Sequence, residues 1–252
     1  MAGSEEARAI ELRHLTGVDE FREAVRLQQE VWGFEDIELL PVRLFVVAHK
    51  VGGQTIGCYD GDVMVGFLLA IPGVKPGGEQ YLHSHMMGVK VGYRDLGLGR
   101  QMKLAQRVDA LERGFRLVEW TFDPLELKNA HFNIERLGAV VKRYVLNQYG
   151  TTTSHLHGGL PTDRCVAEWR LDSKRVEGLL AGAPEERGEV MERISIPVDI
   201  AEIRAADPAR ARAIQARVSE GFMKAFDRGL TVTGFERTAE SGTYTFGIWD
   251  SK

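Results

Sequence analysis

Cysteine is scarce: Cys58 and Cys165 are the only two in 252 residues. They form no CxxC spacing, which excludes a disulfide framework and offers neither a zinc knuckle nor a redox pair. A basic excess is also missing, since 32 Lys and Arg stand against 36 Asp and Glu for a formal charge of −4. Dedicated nucleic-acid binders carry the opposite balance, so no nucleic acid is expected as a partner. No apolar run approaches the roughly 18 residues of a membrane span, and the opening MAGSEEARAI is too acidic for a signal peptide. The expectation is a cytoplasmic chain with no membrane partner, whose two thiols are buried structural groups in a reducing compartment. No short-period repeat suggests a solenoid.

What remains is an ordinary globular composition, 44% hydrophobic and 27% charged, enough for one domain with an addition or for two small ones. AIELRHL alternates like a first strand, and Thr16 with Asp19 three residues on reads as a capping box opening a helix to about Trp32. Phe21, Ala24, Val25 and Trp32 would be its buried stripe. After Pro41, QTIGCYD and VMVGFLLAIPG read as two strands joined at Asp60-Gly61, a dipeptide that favours a tight hairpin. YLHSHMMGVKV is a further strand and GYRDLGLG a glycine-rich turn. Leu98 to Phe115 should be an amphipathic helix with Leu98, Met102, Ala105, Val108, Leu111 and Phe115 inward. Strand LVEWTF, helix LELKNAHFNIERLG and strands near VVKRYVL and CVAEWRL follow. The alternation predicts an α/β (α+β) layer fold with helices on a mixed sheet. Gly, Ala, Pro and Glu loosen the pattern from Ser173 to Val190 into a linker. Beyond it, Asp207-Pro208 starts a helix carrying Ile214, Val218, Phe222 and Phe226, and two strands close the chain around Ser241-Gly242. The expected division is a domain over 1–173, then a linker with a helix and hairpin over 174–252.

The stretch from Val89 to Arg100, VKVGYRDLGLGR, lies between a strand and a helix. Glycines there let backbone approach a phosphate closely, and a helix N-terminus favours an anion. The dinucleotide pattern GxGxxG fails because Met102 stands where the third glycine belongs, and no GK[ST] follows Gly92 for a Walker loop. What remains is RxxGxG: Arg94-Asp95-Leu96-Gly97-Leu98-Gly99. Its plainest alternative is a glycine turn that only joins strand to helix.

RxxGxG after a Val-rich strand resembles the pyrophosphate loop of the GCN5-related N-acetyltransferase (GNAT) superfamily, and the order of elements from Ile10 to about Asp172 is similar to that family's. The resemblance implies a mostly antiparallel central sheet flanked by helices. It implies acetyl-CoA or another acyl-CoA as co-substrate, no metal, and direct attack by an amine on the thioester. Met87, Val89, Val91, Arg94, Leu96, Gly97, Leu98, Gly99, Arg100 and, on the later helix, Asn129 would hold the cofactor. The chain also resembles a branch with a C-terminal extension, for some of whose relatives succinyl-CoA use in amino-acid metabolism is suggested. The partner would be a small-molecule amine, with a homodimer as a further expectation.

Amine attack on a thioester needs a base. His83 and His85 stand at i and i+2 on one strand, so both face one side of the sheet. The run His83-Ser84-His85-Met86-Met87-Gly88-Val89 is similar to a strand of serotonin N-acetyltransferases, where paired histidines relay protons. Two hydrogen-bonded sheet histidines are the alternative. Glu119 is a further candidate base if buried, against a paired or edge-exposed Glu. The family's thiolate acid is a tyrosine, and Ile134 takes its place here. Tyr144, Tyr149 or water would substitute, or the chain binds acyl-CoA without turnover. HSH with His155-Leu156-His157 offers zinc only a poor ligand set, without cysteine or paired carboxylates at ligand spacing. Arg164 is a candidate fork for a substrate carboxylate, against an ordinary ion pair.

Overall fold

A computed structural model describes residues 10–150, 159–184 and 188–250. The chain divides into two compact units, Met1–Gly114 and Phe115–Lys252.

In the first unit, β1 (Ile10–His14), β2 (Gln54–Asp60), β3 (Val63–Val74) and β4 (Gln80–Val89) form one antiparallel ladder in chain order. Helices α1 (Val18–Trp32) and α2 (Val42–Lys50) cover one face, closing a core of Leu15, Phe21, Ala24, Leu27, Phe45, Phe67 and Leu69. Helix α3 (Leu98–Glu112) packs on the opposite face, where Met102 reaches the bare backbone of Gly66.

Three local expectations change. The cap of α1 is Gly17 rather than Thr16, because the Glu20 carboxylate accepts the amides of both Thr16 and Gly17. Helix α2 carries three valines in nine residues, and this β-branched content hid it; burial of Phe45 and Ala48 outweighs that propensity. The inward face of α3 holds Lys103 and Gln106 beside Leu98, Met102 and Ala110, while the expected Val108 is exposed.

In the second unit the strands are β5 (Leu117–Phe122), β6 (Val140–Val145), β7 (Arg164–Arg170), β8 (Glu192–Pro197), β9 (Thr231–Arg237) and β10 (Ser241–Gly247). They pair antiparallel in the order β5-β7-β6-β9-β10-β8. The C-terminal strands thus join the β5–β7–β6 ladder at Val141 opposite Val232. Helix α4 (Leu127–His131) runs into a π-helical turn at Phe132–Arg136. The expected linker contains α5 (Lys174–Leu180), capped by the Ser173 hydroxyl. Helix α6 (Ile200–Ala206) follows β8, and α7 (Pro208–Asp227) starts at the Asp207-Pro208 signal, with the Asp207 carboxylate accepting the Arg210 amide. The last hairpin turns at Thr238 to Glu240, before Ser241, because the Thr238 hydroxyl captures the Ser241 amide. Both units are helices on antiparallel ladders: the α/β layering is what the sequence pattern predicts, and the mostly antiparallel pairing is what the resemblance implies.

Candidate active site

In the first unit, β4 ends at Val89 and the chain turns through Val91–Tyr93 into α3. The Tyr93 hydroxyl donates to Asp60 at 2.7 Å, tying the loop to the end of β2. Arg94 donates Nε to the Val89 carbonyl at 3.3 Å and Nη2 to the Val31 carbonyl at 3.4 Å, so it braces the loop against β4 and α1. Leu96 and Val91 are exposed. Asp95 and Gly97 take the left-handed conformation, with φ of 63° and 77°, and Gly97 caps α3 without any side-chain acceptor. The amides of Leu98, Gly99 and Arg100 therefore open a helix with no acceptor inside it, at the positive end of its dipole. The Arg100 Nε is buried and meets no hydrogen-bond partner among the described residues.

Gly99 is the informative residue of this loop. Its φ is not positive, and a Cβ there would meet only the Met87 Cε, at an ordinary 3.5 Å. Alanine would fit and would favour the helix by about 1 kcal/mol. Packing inside the chain does not ask for glycine here.

The strand before the loop carries the histidines. β4 opposes β3 with Ser84 across from Ala70 and Met86 across from Leu69, so His85 is an extra residue, a β-bulge. His83 pairs with Ile71 on the α1–α2 face, and its ring centroid lies 5.7 Å from that of His85. The two rings share a face, as their i, i+2 spacing dictates, and the bulge shifts the strand's phase, so Met87 and Val89 align with Leu68 and Gly66 on the α3 face. Burial holds the His85 imidazole below its ordinary value, keeping it neutral, with a lone pair available, at neutral pH.

In the second unit, Glu119 is 4% exposed and accepts from Arg143 Nη2 at 2.8 Å. Glu168 lies directly opposite it across the β5–β7 ladder, with Arg143 Nε 3.9 Å away. Asn129 is exposed on α4. Ile134 is fully buried in the π-helical turn and puts no hydroxyl there. The Tyr144 hydroxyl sits between Asp163 at 3.1 Å and Ser219 at 2.9 Å, and burial pushes its pKa far up, which suits it poorly to give up a proton. The Tyr149 hydroxyl lies 3.0 Å from the Thr121 hydroxyl. Arg164 is buried, donates to the Asp163 carbonyl at 3.3 Å and stacks over the Tyr149 ring at 5.4 Å. His155 and His157 lie outside the described residues. Among the described residues no group of three or more His, Cys, Asp or Glu is placed to hold a metal ion, and no helix is long and apolar enough to cross a membrane.

Two buried polar clusters escaped the sequence reading. Lys103 and Gln106 lie under β4 because the inward row of α3 runs through Met102, Gln106 and Ala110 at i, i+4 spacing, with Lys103 beside it. Asp163 gathers Tyr144, Ser219 and the Asn147 amide from three segments, which no local pattern could announce.

No family model matches the chain, and no curated protein matches it. Solved structures do. A Desulfovibrio desulfuricans protein assigned to the GNAT family of acetyltransferases superposes with a TM-score of 0.51 at 16% identity, over 65% of this chain and 99% of its own. The ribosomal-protein-S18-alanine N-acetyltransferase of Escherichia coli gives 0.51 at 16% identity, over 64% and 94%. Arabidopsis thaliana Naa50, held with the bisubstrate analogue CoA-Ac-MVNAL, gives 0.51 at 14% identity, over 64% and 97%. The chain therefore has the GNAT fold.

Proposed function

We propose that the protein is an acyl-CoA-dependent N-acyltransferase, moving an acetyl or succinyl group to a small primary amine such as an amino acid by direct attack in a ternary complex. The observation that carries the reading is the anion cradle at the start of α3: left-handed Gly97, amides from Leu98 to Arg100 with no acceptor inside the helix and no side-chain cap among the described residues, and a glycine at 99 that the chain's own packing does not require. These residues fit a diphosphate, and acyl-CoA would supply the activated thioester. Leu96 to Arg100 would hold the pyrophosphate, Arg94 would keep the loop in shape, and Met87, Val89, Val91 and Asn129 are the further proposed contacts.

His85 is the proposed base that takes the amine proton, with His83 beside it as relay, because burial leaves His85 neutral where an amine must be deprotonated. Glu119 is a second proposed proton acceptor, with one oxygen engaged by Arg143. Arg164, buried and stacked on Tyr149, is the proposed fork for a substrate carboxylate. Two structural neighbours, by name, act on or hold peptide N-termini, so peptide α-amines belong in the acceptor screen beside amino acids.

A second reading, an acyl-CoA sensor without turnover, is favoured by one observation: the family's acid position holds a fully buried Ile134. Titrating the purified chain with CoA, acetyl-CoA and succinyl-CoA while following thermal unfolding tests the shared step. Ligand at roughly 100 times its Kd should stabilise by about 2.7 kcal/mol. No shift with any of the three removes both readings. Stabilisation followed by amine-dependent thiol release selects the enzyme, and stabilisation with no release from any amine selects the sensor.

A further inference from the structure

Beneath β4, on the face away from the histidines, the first unit buries a string of polar side chains. Lys103 is 2% exposed, with Nζ 2.8 Å from the Ser84 hydroxyl and 3.0 Å from Gln106 Oε1. Gln106 donates to Gln54 Oε1 at 2.9 Å, and Gln54 donates to the Gln106 carbonyl at 3.0 Å and to Asp109 at 2.5 Å. Asp109 also pairs with Arg113 at 2.9 Å and lies 3.4 Å from His14. Burial lowers the Lys103 pKa to about 7. A buried ammonium is costly, and a methionine of similar volume would fill the site without that cost. The string is therefore an expensive way to pack a helix on a sheet.

We propose that Lys103 is a positioning residue for the histidine pair: it grips Ser84, the residue between His83 and His85, and fixes the point at which β4 takes its extra residue. Ser84 is the last residue of β4 in register before the bulge, and its side chain points to the α3 face while the two rings point the other way. A bulge moved one residue toward the N-terminus, onto Ser84, would set His85 opposite Ala70, turn it toward α3 and separate the rings, because strand side chains alternate. Hydrogen bonding Ser84 to a wholly buried side chain opposes that slip. The role in catalysis rests on the acyltransferase reading; the role in ring placement does not.

The test uses the full chain with Lys103→Met, Ser84→Ala and the double variant. The first readout is the imidazole nitrogen–proton spectrum of His83 and His85 without ligand, at fixed pH, which needs no turnover. Both single variants should move the two histidine signals in the same direction, and the double should move them no further than Lys103→Met alone. The second is steady-state kinetics with an accepted amine. Here kcat should fall by about 10- to 100-fold, the scale of a misplaced catalytic group, while CoA-induced stabilisation is kept. Unmoved histidine signals in folded Lys103→Met and Ser84→Ala would overturn the positioning role, as would strictly additive shifts in the double. Absence of turnover in the wild-type chain would remove the catalytic clause and leave the spectra to decide ring placement. Should Lys103→Met not fold, Ser84→Ala, which removes a single oxygen, decides alone.

Discussion

Helices α3 and α7 each lay one face on an antiparallel ladder, yet they are built on different terms. The inward face of α7 centres on Phe222, whose ring lies 4.9 Å from Tyr244, 5.1 Å from both Phe246 and Tyr144, and 5.8 Å from Phe226. The inward face of α3 spends two of its five buried positions on Lys103 and Gln106. Aromatic packing is what stability alone would choose, whereas a buried ammonium opposes it. The difference separates a helix that holds its unit together from one that sacrifices stability to set the strand carrying His83 and His85.

The largest effect should come from the aromatic centre of α7. Phe222→Ala leaves a hole between four aromatic rings, and a loss of about 3–5 kcal/mol is expected in denaturant unfolding. A loss below about 1 kcal/mol would mean that α7 is not the keystone of its unit and would break the comparison.

Lys103→Met should act in the opposite direction. The unfolded lysine keeps its proton up to its ordinary value of 10.5, while the native one releases it near 7. Between those values the unfolded state binds more protons, so wild-type stability should climb with pH across that window. Lys103→Met has no such group. Its advantage, the relief of the buried-charge penalty less the cost of leaving the Ser84 hydroxyl and Gln106 Oε1 without their donor, should be greatest below pH 7 and fade toward pH 10. Parallel stability curves for the two proteins would show that Lys103 keeps an ordinary proton affinity in the fold.

Ser219→Ala probes one of the two buried polar side chains of α7, the other being Gln215, which donates to the Pro161 carbonyl at 2.8 Å. The Ser219 hydroxyl lies 2.7 Å from the Asp163 carboxylate, which also receives the Tyr144 hydroxyl and the Asn147 amide. Removing one donor from a buried carboxylate should cost about 1.5–3 kcal/mol in denaturant unfolding, less than Phe222→Ala.

The local signals were readable in the sequence wherever one chemical preference decided the outcome. Asp207-Pro208 announced α7, and Gly97 with Gly99 announced the loop, because capping and left-handed backbone depend on single residues. The bulge at His85 was not readable: alternation placed both histidines on one face, but nothing in one strand reveals that its partner is a residue shorter across it. Nor was Lys103, since a lysine on an amphipathic helix is ordinarily solvated, and only the phase of Met102, Gln106 and Ala110 shows that it turns inward. Glu119 was legible as buried or paired; Arg143, which pairs it, comes from β6, across the intervening β7. Function entered through the loop, where sequence and geometry act on the same few residues.

The smallest effect is also the sharpest, because it sets stability and binding against each other at one atom. Gly99→Ala adds a methyl group to the first turn of α3, where φ is compatible with any residue and the nearest atom is the Met87 Cε at 3.5 Å. If the chain's own packing were all that mattered, alanine would be the better residue, and the free protein should gain up to about 1 kcal/mol from helix propensity. A methyl group over the amides of Leu98 to Arg100 would stand where a diphosphate must come close, so the stabilisation by CoA should drop even as the free protein grows more stable. A variant that gains stability and keeps full CoA binding would show that the glycine serves only the turn. Loss of both would place Gly99 in the packing of α3, and the cradle would then rest on Gly97 alone.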